Sequence, residues 1–135
     1  MKTSFVSLII FFSCFVTVKS QEEKFLLPDN PAKCQNIKEG KFIRTGDSPR
    51  KWYLVIKKDT QREYFNNGKD FIKYKIEFTD NCSYKATVTG KTDGKYPMRI
   101  GDGVTYKILE TDHQFIKIET VNFNKKEEVI LEKIE

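Results

Sequence analysis

From Gly40 onward, hydrophobic and polar residues alternate with a period of two. The clearest stretch puts Ile72, Tyr74, Ile76 and Phe78 on one face and Lys73, Lys75, Glu77 and Thr79 on the other. One apolar face against one wet face is the pattern of an antiparallel strand. Trp52, Leu54 and Ile56 alternate in the same way with Tyr53, Val55 and Lys57, and Tyr84, Ala86 and Val88 with Lys85 and Thr87. Shorter versions begin at Phe42, run over Gln61 to Phe65, and recur at Val104, Tyr106 and Ile108, at Phe115 to Val121 and at Val129 to Ile134.

Turn residues punctuate these runs. Gly46-Asp47-Ser48-Pro49 ends the first strand, and Asp59-Thr60 provides a short turn. Asn66-Asn67-Gly68 is a strong hairpin signal, because Asn and Gly tolerate positive φ. Asp80-Asn81, Thr111-Asp112-His113 and Asn124-Lys125-Lys126 complete the set. The loosest segment is Gly90 to Gly103, with a short strand expected through Tyr96 to Ile100. No stretch carries a sustained helical period with caps. The expected fold is all-β, an antiparallel meander of about eight strands, closed as a lipocalin-like barrel or left as a strongly curled sheet.

The first 20 residues read differently. Lys2 precedes an apolar run from Phe5 to Val18, and Val18-Lys19-Ser20 fits a cleavage site before Gln21. The run is shorter than the roughly 18–20 residues that span a bilayer. A signal peptide over residues 1–20 is therefore expected, with an N-terminal leader over 21–39 and a single β domain over 40–135. An uncleaved interfacial anchor is one alternative. A lipoprotein acylated on Cys14 is another, but Phe11 and Phe12 are bulky for that signal and Phe15 to Val18 would form an apolar tether. The expected location is the periplasm, cell envelope or exterior, with no integral span in the mature chain.

Removing that segment leaves Cys34 and Cys82 as the only cysteines. In an oxidising compartment they are expected to form one disulfide. They lack the close C-x-x-C spacing of a redox pair. The leader, with Pro28 and Pro31 around Asp29-Asn30, would thus be tied to the domain by Cys34. Net charge is +5, falling to +3 once Lys2 and Lys19 are gone, with acids interleaved among the bases. That is weak support for a polyanion partner. Arg50-Lys51-Trp52-Tyr53 and Tyr74-Lys75 could stack on bases, but the small charge and the export signal argue against nucleic acid. Trp52 is expected in the core.

Catalytic and metal-binding sets are sparse. His113 is the sole histidine and falls in a turn, where it is expected to be exposed. One histidine cannot furnish the usual zinc site, and a Ser-His-Asp triad would need it held and desolvated. Gly101-Asp102-Gly103 lacks the alternating oxygens of a calcium loop. Glu63, Glu77 and Glu119 could in principle pair for glycoside cleavage, but solvated strand faces are the expected setting for all three. No cofactor, metal or catalytic residue is expected; an unrecognised hydrolase is the residual alternative.

Two motifs carry a resemblance. Cys34-Gln35-Asn36-Ile37-Lys38-Glu39-Gly40-Lys41-Phe42 and Ile76-Glu77-Phe78-Thr79-Asp80-Asn81-Cys82-Ser83-Tyr84 resemble a family of small exported bacterial β proteins with C-x-x-F/I-K-x-G-x-F and D/N-D/N-C-x-Y patterns. Phe78 stands where many such relatives carry Trp, an aromatic in either case. Some similar sequences bear a topoisomerase label, which does not suit this chain: such an enzyme needs a tyrosine nucleophile among basic residues in a large intracellular assembly. The resemblance implies an architecture, a compartment and paired cysteines, and no catalytic residue. On physical grounds Gly40 would serve a special conformation or a close approach, Asp80 and Asn81 a turn, and Tyr84 and Phe42 packing beside the disulfide.

The expected function is a non-catalytic secreted or envelope module that binds a protein, glycan or surface. The alternative is a lipocalin-like carrier of a small apolar ligand. The interior separates them. A carrier needs a hole of about 300 Å³ or more, whereas an interaction module fills its interior with Phe, Ile and Tyr.

Overall fold

The structure, a computed structural model, describes residues 25–92 and 97–135. The expected signal segment with Cys14, and the residues around Asp93-Gly94 and Tyr96, lie outside the described residues. Eight strands follow in order: β1 Gly40–Arg44, β2 Trp52–Lys57, β3 Thr60–Phe65, β4 Asp70–Asp80, β5 Ser83–Lys91, β6 Gly103–Asp112, β7 Phe115–Asn122 and β8 Lys125–Lys133. Each pairs antiparallel with its neighbour in sequence, and β1 pairs with β8 through Phe42–Lys133, Ile43–Glu132 and Arg44–Leu131. Of the two expected architectures, the closed barrel is the one formed.

The period-two pattern decides which side chains point in. Leu54, Ile56, Ile72, Tyr74, Ile76, Tyr84, Ala86, Val88, Ile108, Ile116 and Ile118 are all buried, while Lys75, Glu77 and Lys85 between them are exposed. Burial of such an apolar set is the main favourable term in folding. Cross-strand rows form outside as well. Tyr53 stacks on Tyr64 at 4.6 Å between ring centroids, and Phe71 continues the row. Lys117–Glu110 and Lys126–Glu119 pair across neighbouring strands.

Several connections are tighter than the sequence implies. His113-Gln114 and Phe123-Asn124 form two-residue turns, so β6 includes Thr111 and Asp112, and β8 begins at Lys125. Left-handed φ at Lys58, Asn66, Asn67, His113, Phe123 and Asn124 closes the hairpins. Pro97–Ile100 form no strand, against expectation. The Arg99 amide is instead held by Asp102 Oδ2 at 2.8 Å, and Met98 turns inward and is buried.

One end of the barrel is sealed by the leader. A short 3-10 helix, Cys34–Ile37, buries Cys34 and Ile37. Cys34 is bonded to Cys82 in the β4–β5 turn, as expected. The Cys82 amide donates to Asp80 Oδ1, which explains the acid at that turn. Thr111 on β6 anchors the leader further: its hydroxyl donates to Asp29 Oδ2 and accepts from the Lys33 amide, both at 2.8 Å. Gly40 has φ +145, and a Cβ there would lie 2.7 Å from the Glu135 carbonyl oxygen. Both roles anticipated for this glycine apply at once. Phe42, Tyr84 and Cys34 belong to one buried cluster, with Cys82 and Phe78 packed against it.

Candidate ligand-binding site

Among the described residues the other end is open. There the barrel encloses a cavity of about 540 Å³. Leu54, Ile72, Met98, Val104, Ile118, Val129 and Leu131 form its apolar walls. Arg44, Asn122, Phe123, Lys125 and Glu127 lie toward the mouth, at the end of β1 and at the β7–β8 turn. Phe123 is 64% exposed there.

Inside sits a polar group. Glu63 projects inward from β3, in register with Leu54 on β2 and Ile72 on β4. It was expected on a solvated face, and this is a correction. Gln61-Arg62-Glu63-Tyr64-Phe65 has polar residues on both parities, so its own sequence assigns no face. The strands on either side do: their apolar residues fix the pleat, and Glu63 follows. Glu77 and Glu119 do lie outside, so the three acids are not brought together.

Two donors meet Glu63. Trp52 Nε1 donates to Oε2 at 3.2 Å and Tyr106 donates to Oε1 at 3.4 Å, and the Tyr74 hydroxyl lies near enough to the same carboxyl to lower its pKa. Behind them lies a directed chain. The Tyr84 hydroxyl donates to Gln61 Oε1 at 2.9 Å, and Gln61 Nε2 donates to the Tyr106 oxygen at 3.1 Å. Gln61 is fully buried, and this chain satisfies its amide. With its lone pair engaged by Gln61, the Tyr106 hydroxyl turns its proton to Glu63. Tyr84 and Tyr106 stack at 4.6 Å, which holds the chain in line.

Burial pushes the Glu63 carboxyl above its ordinary range, against the pull of the Trp52, Tyr74 and Tyr106 donors and the Arg44 charge. Tyr74, Tyr84 and Tyr106 are all raised, first by burial and then by neighbouring negative charge, so they stay protonated donors. The Arg44 guanidinium lies over the Trp52 ring, 4.5 Å from its centroid.

The remaining candidate residues are placed as follows. Trp52 is in the core, 7% exposed, and also faces the cavity. The pleat separates the basic and aromatic residues of its segment: Trp52 and Tyr74 point in, while Tyr53 and Lys75 point out. His113 is exposed in its turn and contacts the buried Asp112 carboxylate. Among the described residues no group of three or more His, Cys, Asp or Glu is placed to hold a metal ion, and no helix is long and apolar enough to cross a membrane. Comparison with protein-family models, curated proteins and solved structures gives no match.

Proposed function

We propose that this protein is a non-catalytic, lipocalin-like carrier that holds one small, largely apolar molecule inside the barrel, in a compartment outside the cytoplasm. The observation that carries this reading is the cavity of about 540 Å³. Its size falls in the range of small-molecule sites, and its lining follows their pattern of apolar walls with a few placed polar groups. An interior built only for stability would fill that space with side chains. The disulfide supports an oxidising compartment, and the export signal expected over residues 1–20 would fit it.

The test uses the only tryptophan in the chain, Trp52, which faces the cavity. Titration with the neutral probe N-phenyl-1-naphthylamine is expected to quench Trp52 emission with one-to-one stoichiometry and to raise the melting temperature. Val129→Phe, which grows into the cavity, is expected to weaken the probe. Emission and melting that ignore the probe would overturn the carrier reading. The alternative, a module that binds a glycan or protein by its surface, is supported by the outer row of Tyr53, Tyr64 and Phe71 beneath Lys41 and Arg62. Loss of partner capture in Tyr64→Ala, with probe binding intact, would favour it.

A further inference from the structure

We infer that the molecule held in the cavity carries a protonated amine at one end, seated against Glu63. This rests on the carrier reading and specifies its ligand.

The first ground is the placement of charge. Glu63 lines the cavity, and among the described residues no Lys, Arg or His nitrogen lies within ion-pair distance of it. Arg44 acts on it only through space, from its position over Trp52. Glu63 is half-buried, and a carboxylate shielded from water without a partner costs more than a paired one. The position beside Glu63 is thus the place in the interior where a positive charge gains most.

The second ground is directional. A carboxylate offers about four lone-pair sites. Trp52 and Tyr106 occupy two. Both spend their protons on Glu63, and the Tyr74 hydroxyl bears on the same carboxyl. Tyr84 and Gln61 are likewise engaged with each other and with Tyr106. The remaining capacity is an acceptor, on a side chain that lines the cavity. An ammonium supplies both a donor and the missing charge. A hydroxyl supplies only the donor, and a carboxylate brings repulsion.

The third ground is aromatic. Trp52, Tyr74 and Tyr106 surround the carboxylate, and ring faces attract cations. Trp52 already receives one from the protein itself, the Arg44 guanidinium. Arg44 and the ligand's head group would repel each other. The two charges flanking the site therefore make opposite predictions, which separates electrostatic recognition from simple packing.

Octylamine, octanol and octanoate would be compared at neutral pH by Trp52 quenching and calorimetry on the disulfide-bonded protein. Octylamine is expected to bind about tenfold more tightly than octanol, and octanoate most weakly. Glu63→Gln is expected to bring the amine-to-alcohol ratio down to about one. Arg44→Gln alters an exposed side chain, and is expected to strengthen octylamine several-fold while weakening octanoate. Octanol equal to octylamine, or octanoate the tightest, would overturn the amine assignment and leave the carrier reading standing. An unchanged ratio in Glu63→Gln would do the same. If none of the three binds, the carrier reading fails and the amine assignment with it.

Discussion

The two ends of the barrel are made from the same eight strands yet solve opposite problems. At the sealed end, Ile37, Phe42, Tyr84 and Ile116 are almost wholly buried, and the leader is fixed by a disulfide and by the Thr111 hydrogen bonds. At the open end, side chains of similar type leave a cavity, and a carboxylate stands among them. A barrel of this size can be filled or hollow. The sequence makes the choice locally: the sealed end receives an extra layer from residues 25–39, and among the described residues of the β5–β6 connection Pro97 and Met98 line the open end.

This contrast can be broken by experiment. The largest expected effect is at the clamp. Cys34 and Cys82 close a loop with a sequence separation of 48, worth about 4 kcal/mol in the chain-entropy model. Reduction, or Cys34→Ser with Cys82→Ser, is expected to lower the melting temperature by about 10–15 °C in differential scanning calorimetry. Equal melting with and without reductant would mean that the leader is held by other contacts. Next comes Ile37→Ala, expected to cost about 3 kcal/mol in urea unfolding because the plug has no room to relax. Val129→Ala at the cavity wall is expected to cost about 1 kcal/mol, since the space beside it is already empty. Similar losses at the two positions would erase the distinction between the ends.

Gly40→Ala should fall between these two, at about 1–3 kcal/mol, through its positive φ and the approach of the Glu135 carbonyl. The smallest effect concerns Glu63. Its folded pKa lies above the ordinary value of 4.5, so only between the unfolded and folded values does the folded chain hold a proton that the unfolded chain has released. The group's contribution is full below the ordinary value and is lost as pH rises through the folded pKa. Arg44 on β1, Trp52 on β2, Tyr74 on β4 and Tyr106 on β6 all bear on this titration, with Lys125 and Glu127 nearby at the mouth. Glu63→Gln is expected to flatten the decline in melting temperature above about pH 4.5. A decline of the same slope in that variant would assign it to other groups.

Much of the barrel is legible in the chain. Ile72-Tyr74-Ile76 and Tyr84-Ala86-Val88 announce their inward faces, and Asn66-Asn67-Gly68 announces its hairpin. The cysteine pair follows from there being no other cysteine after residue 20. The site is much less legible. Glu63 looks solvated because β3 alternates nothing, and its face is set by pairing with Leu54 and Ile72. Tyr84 and Tyr106 read as apolar positions, yet their hydroxyls meet Gln61 and Glu63 of β3, drawn from a different part of the sequence. The cavity is legible nowhere, because it is a difference between enclosed volume and side-chain volume rather than a property of any residue. The role of the leader as a plug was equally hidden: Pro28 and Pro31 indicate only that the segment is irregular.

The join between the first and last strands closes the barrel. It rests on three residue pairs, extended by the backbone bonds of Lys41 and Thr45 to Glu135, Ile134 and Ile130. That seam turns a ribbon into a vessel. If it parts, the wall beside Arg44 and Leu131 opens and the cavity loses its enclosure. In the same event two raw strand borders become available to other copies of the chain. Leakage and fibre-like clumping should therefore share a single weak point.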